Sequence, residues 1–91
     1  MTIVIVMSMD YGSRPYPNKL QTFRKGAGLQ QRQVAALLGL NNPTSLSDWE
    51  NRKQMPSGTH LIKLCILYDK TVQEIYPEYY EQLKIEFSLT K

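Results

Sequence analysis

The chain has 91 residues, one cysteine, one histidine and a net charge of +3. A chain of this length forms one small domain burying roughly 60–65% of its unfolded surface, and a lone thiol excludes an internal disulfide. Cys65 and His60 are too few for a zinc site, and there is no glycine-rich phosphate loop or nucleophile elbow, so enzyme, metal and cofactor readings are set aside.

Residues 1–17 read as an arm. Thr2, Ile3, Val4, Ile5, Val6 and Met7 form an apolar run without a basic leader, too short to cross a membrane, which suits a strand or an extended arm. Gly12, Pro15 and Pro17 make residues 11–17 a loop. The spacing then predicts a first helix capped by Asn18, with Gln21 completing a capping box and Leu20, Phe23 and Ala27 as its buried stripe. Gly26 and Gly28 bracket its end.

A second helix is predicted over residues 31–38, with Val34, Ala35 and Leu38 on one face and Gly39 as the left-handed residue that ends it. Asn41, Asn42 and Pro43 form the turn, and a third helix over 44–51 turns Leu46 and Trp49 to one side. Pro56 and Ser57 open a fourth, with Leu61, Leu64, Cys65 and Tyr68 inward and His60 toward solvent. Thr71 and Glu74 form the capping box of a short fifth helix holding Val72 and Ile75. After Pro77, residues 78–87 space Tyr79, Leu83 and Phe87 as a further helix, with Tyr80 alongside.

The expected fold is all-α, with a short Gly-bearing turn between the second and third helices, the geometry of a helix-turn-helix. Charge is divided along the chain. Residues 11–63 carry a net +6 and residues 64–91 a net −2, which fits a face turned to nucleic acid and a face turned away. The exposed positions of the two central helices are Gln, Asn, Thr, Ser and Arg, side chains that bond to phosphates and base edges.

Gly28-Leu29-x-Gln31-x-x-Val34-Ala35-x-x-Leu38-Gly39-Leu40, followed by Leu46-Ser47-x-Trp49-Glu50-x-x-Lys53-x-x-Pro56-Ser57, resembles the phage-repressor/Cro-like (XRE) helix-turn-helix regulators. The resemblance runs back to Leu20 and Arg24 and forward to Leu61, Leu64, Thr71, Glu74 and Ile75. It implies a five-helix repressor-like domain over residues 18–76, between the arm of 1–17 and a helical extension over 77–91. It further implies a cytoplasmic transcriptional regulator, a repressor, that binds double-stranded DNA in the major groove. The competing reading is a protein-interaction module, such as the antitoxin-like subunit of a toxin-antitoxin pair.

By position in the family pattern, Asn42, Thr44, Ser45 and Asp48 fall where bases are read. A hydroxyl suits a donor or an acceptor edge and a carboxylate accepts from cytosine. Thr44 or Ser45 equally suits a helix cap, and Asp48 an ordinary surface. Gln31 and Arg32 at the start of the second helix, and Asn51, Arg52 and Lys53 after the third, fall where the family grips phosphates. Arg24 and Glu50 match a structural salt bridge between the first and third helices.

Two departures from the pattern stand out. Arg52 occupies a position where glycine is usual, so either Asn51 takes the left-handed conformation or the helix ends differently. Five residues separate Leu40 from Leu46, one more than the common spacing. A homodimer is expected, since one module reads few base pairs. Ile66 and Leu67, apolar where the family is polar or small, and the stripe of Tyr79, Leu83 and Phe87 are candidate contacts, unless the terminal helix folds back over Ile66 in the same chain.

Overall fold

A computed structural model describes residues 16–90, so the expected arm or strand of the amino terminus lies outside the described residues except for Tyr16 and Pro17. Six helices follow: α1 Leu20–Gly26, α2 Gln31–Leu37, α3 Thr44–Glu50, α4 Gly58–Tyr68, α5 Val72–Ile75 and α6 Pro77–Thr90. No strand occurs among the described residues. The fold is all-helical, with the helix-turn-helix formed by α2 and α3.

Isolated helices shorter than about 12–15 residues are marginal in water, and α1, α2 and α3 have seven residues each. Their stability therefore comes from the shared core. Leu20, Val34, Leu46, Leu64 and Ile75 are fully buried, with Leu38, Trp49, Tyr68 and Tyr76 nearly so. Every helix from α1 to α5 contributes to this cluster, which fixes α3 against its neighbours.

The chain reverses after α1, α2, α3 and α4 by one device. The amide of the second or third residue past each helix bonds back to a carbonyl five residues earlier: Leu29 to Arg24 at 3.2 Å, Leu40 to Ala35 at 2.8 Å, Lys53 to Asp48 at 2.9 Å, and Lys70 to Cys65 at 3.0 Å. This is the Schellman closure, which needs a left-handed residue just before that amide. Gly28 and Gly39 supply it twice with φ of 75° and 79°, and Arg52 and Asp69 supply it with φ of 68° and 55°. Arg52 itself takes the strained conformation. Neither alternative drawn from the sequence, a left-handed Asn51 or a different helix end, is what occurs.

Several local expectations are corrected. Asn18 does not form a capping box with Gln21. Its Oδ1 accepts from the Leu20 amide at 3.0 Å, while its Nδ2 donates to the carbonyls of Tyr16 at 2.9 Å and Trp49 at 2.8 Å. Asn18 thus ties the start of α1 to the end of α3. Ala27 is exposed because α1 stops at Gly26, and Val72 is exposed at the outer side of α5. Thr71 and Glu74 form their capping box: the Glu74 amide donates to Thr71 Oγ1 at 3.1 Å, and the Thr71 amide to Glu74 Oε1 at 2.8 Å.

The terminal helix α6 packs on α5 and does not fold back over α4, since Ile66 remains 74% exposed. Tyr79 is half-buried and meets Tyr16 edge to face at 5.5 Å, so it serves the fold rather than an open contact surface. Leu83 and Phe87 are exposed.

Candidate nucleic-acid interface

The site begins with the two faces of α3. Leu46 and Trp49 enter the core, and Glu50 is buried between helices, which leaves Thr44 and Ser45 exposed and Asp48 half-exposed. Asn42 Oδ1 accepts from the Thr44 amide at 2.9 Å. That bond satisfies one of the orphan donors of the helix start from a residue two positions earlier, so neither hydroxyl of Thr44 or Ser45 is taken up in capping. The longer turn of residues 41–45 is accommodated in this way, with Pro43 immediately before the first helical residue.

Behind α3 lies a buried polar group. Arg24 Nε donates to Glu50 Oε2 at 2.6 Å, Arg24 Nη2 to Glu50 Oε1 at 3.1 Å, and Arg24 Nη1 to the Leu29 carbonyl at 2.9 Å. The two side chains are 9% and 2% exposed, which makes this a desolvated, forked ion pair. The hydrogen bond to Glu50 holds the Arg24 guanidinium above its ordinary pKa despite burial. Burial, reinforced by the negative charge of Glu50, pushes the nearby Tyr68 phenol up to about 12, so it stays neutral.

Gln31 joins the same group, donating from Nε2 to Glu50 Oε1 at 2.9 Å. Its position at the first residue of α2 suggests a phosphate grip or a plain surface amide, not a buried link. The link to Glu50 depends on how α2 and α3 pack, and no local sequence signal announces it. Arg32 lies beside it, exposed, with Nε donating to Gln30 Oε1 at 3.1 Å. The Gln30 amide in turn donates to Gln33 Oε1 at 2.7 Å. The start of α2 is therefore a lattice of amides and one guanidinium, held from below by Glu50.

At the same carboxy-terminal end of α3, Asn51 Nδ2 donates to the Ser47 carbonyl at 2.9 Å and to Ser47 Oγ at 3.2 Å. Arg52 and Lys53 are exposed in the closing turn. Thr44 and Ser45 thus stand exposed at the start of α3 with Asp48 half-exposed one turn on, while two polar groups, Gln31 with Arg32 and Asn51 with Arg52 and Lys53, gather toward its carboxy-terminal end. His60 is not simply solvent-facing. Its ring lies 5.4 Å from that of Trp49, and its Nδ1 is 3.1 Å from Ser57 Oγ.

Among the described residues no three His, Cys, Asp or Glu side chains gather as a metal site, and no helix is long and apolar enough to cross a membrane. The Cys65 thiol, half-buried on α4, is pushed above its ordinary pKa by burial.

No curated protein and no solved structure matches the chain significantly. A helix-turn-helix family model, however, matches residues 20–75, from the first residue of α1 to the last of α5. With an all-helical fold around α2 and α3, this chain belongs to the helix-turn-helix family of Cro/C1-type, XRE-like DNA-binding regulators.

Proposed function

We propose that the protein is a sequence-specific repressor of transcription, acting in the cytoplasm as a homodimer on double-stranded DNA. The observation that carries this reading is the outward face of α3, where Thr44 and Ser45 stand exposed and free of the core. In this reading α3 enters the major groove and Asn42, Thr44, Ser45 and Asp48 meet base edges. Gln31, Arg32, Asn51, Arg52 and Lys53 hold phosphates, which positions the helix without reading sequence. Occupying an operator then excludes polymerase. Ile66, Leu83 and Phe87 are the proposed contacts between copies. The earlier candidate Tyr79 is engaged with Tyr16 instead.

Binding-site selection tests the assignment. The double change Thr44→Ala, Ser45→Ala should alter which sites are recovered, at about 1–3 kcal/mol per lost base contact. Lys53→Ala should weaken all sequences alike and reduce the salt slope by about one. Unchanged preference in the double variant refutes the base-reading role of α3. The antitoxin-like alternative draws on the exposed apolar residues of α4, and it predicts little duplex affinity even at low salt.

A further inference from the structure

We propose that two copies of this chain pair through the outer face of α4, antiparallel about Ile66. This rests on the homodimer reading above and specifies its geometry. Ile66, Ile62 and Leu37 are 74%, 63% and 62% exposed, a high level for three large aliphatic side chains. Ile62 lies one turn before Ile66 on α4. Leu37 lines a shallow groove with Leu38, Lys63, Ile66 and Leu67. The patch therefore joins the outer edge of α2 to the outer face of α4. The terminal helix leaves it open, being packed on α5.

Area and charge both point to a second copy as the occupant. The three side chains together expose roughly 400 Å² of apolar surface, about half the 800 Å² that each partner contributes to a stable interface. Lys63 lines the groove with Ile66, and Asp69 is exposed with its amide donating to the Ile66 carbonyl at 3.3 Å, so one charge of each sign stands three residues before and three residues after Ile66. A neutral apolar face has little attraction for DNA phosphates or for a strongly charged protein. It complements itself. Centring an antiparallel pairing on Ile66 brings each Lys63 opposite the other copy's Asp69, whereas a parallel pairing sets like charges together. The contact is isologous, so it closes at two copies and does not propagate.

Single-cysteine cross-linking of the full chain tests this, in a Cys65→Ala background so that one thiol reports. A residue on the two-fold axis meets its own copy, and a disulfide needs the two Cα atoms within about 7 Å. Ile66→Cys should therefore form covalent dimers under mild oxidant, and Leu83→Cys should not. Ile66→Glu should weaken association by about 30-fold or more while leaving the far-UV circular dichroism unchanged, as the position is exposed. Lys63→Glu should also weaken it, and adding Asp69→Lys should restore it.

Sedimentation equilibrium separates the failures. A wild-type chain that stays monomeric at high micromolar concentration overturns both this pairing and the homodimer. A dimer that survives Ile66→Glu, or that links through Leu83→Cys instead, leaves the homodimer standing and overturns the α4 pairing. Loss of association in Lys63→Glu that Asp69→Lys does not restore overturns the antiparallel register.

Discussion

Glu50 is nearly dry, and all three of its hydrogen bonds come from Arg24 and Gln31. Arg24→Met removes two of them and, among the described residues, the one positive charge in contact with the carboxylate, leaving one amide donor. Breaking one side of a buried pair costs about 3–5 kcal/mol, and a whole domain is stable by about 5–15 kcal/mol. At 91 residues this chain belongs toward the lower end of that range, so Arg24→Met should remove most of its stability. Glu50→Leu strands the guanidinium on the Leu29 carbonyl alone and should cost a similar amount. In the double variant Arg24→Met, Glu50→Leu neither of the buried charges found among the described residues remains. The losses are then the Leu29 and Gln31 hydrogen bonds, about 0.5–1.5 kcal/mol each. The double should therefore be more stable than either single, with a coupling of at least about 2 kcal/mol. Urea denaturation followed by Trp49 fluorescence and circular dichroism measures all three. Additive losses would mean that the pair contributes nothing through its interaction, and the argument would fail.

Two further outcomes follow from the turns and caps. Arg52→Gly should raise the urea midpoint by an amount equivalent to about 1 kcal/mol, because Arg52 holds φ of 68° where glycine has no steric cost. If Arg52 holds a phosphate as proposed, the same change should lower DNA affinity at every sequence and flatten its salt dependence. Glu74 is held below its ordinary pKa of 4.5 chiefly by the Thr71 amide, with the Thr71 hydroxyl and Lys70 adding to this. Its contribution to stability is thus full above the unfolded pKa and declines as pH falls through the lower folded value. Glu74→Gln should therefore lower stability modestly at neutral pH and change little at the acid end, where Glu74 is already protonated, so that the acid limb below about pH 4.5 flattens, which urea titrations across that range would show.

The elements and most of the core were legible in the sequence because they follow from periodicity. Val34, Ala35 and Leu38 on α2, and Leu46 and Trp49 on α3, needed only helical spacing to be assigned inward. Gly28 and Gly39 announced two of the four helix closures for the same local reason. Arg52 and Asp69 close the other two and could not be read, because surrounding bonds rather than local propensity hold them left-handed. Asn18 looked like a cap, yet two of its three bonds run to carbonyls, one of them 31 residues away in α3. The position of Gln31 was legible, but its bond to Glu50 exists only once α2 and α3 have packed. Long-range polar contacts leave no periodic trace.

Those long-range contacts determine how rigidly the candidate reading helix is held. The carboxy-terminal half of α3 is fixed at three points. Trp49 is set in the core, the Trp49 carbonyl is held by Asn18, and Glu50 is held by Arg24 and Gln31. These bonds come from α2, α1 and the residue leading into α1, so α3 cannot tilt relative to α2 without breaking buried polar bonds. The amino-terminal half is different. Thr44 and Ser45 are exposed, and their nearest polar tether is the bond from the Thr44 amide to Asn42. Substitutions there meet neither the core nor the buried ion pair, and surface changes of that kind usually shift stability by no more than about 0.5 kcal/mol. Orientation, and base choice under the proposed function, thus reside in separate residues of one seven-residue helix. New specificities should therefore be obtainable at Thr44 and Ser45 with little loss of stability, whereas changes at Trp49 or Glu50 should unfold the domain before they alter which sequence it reads.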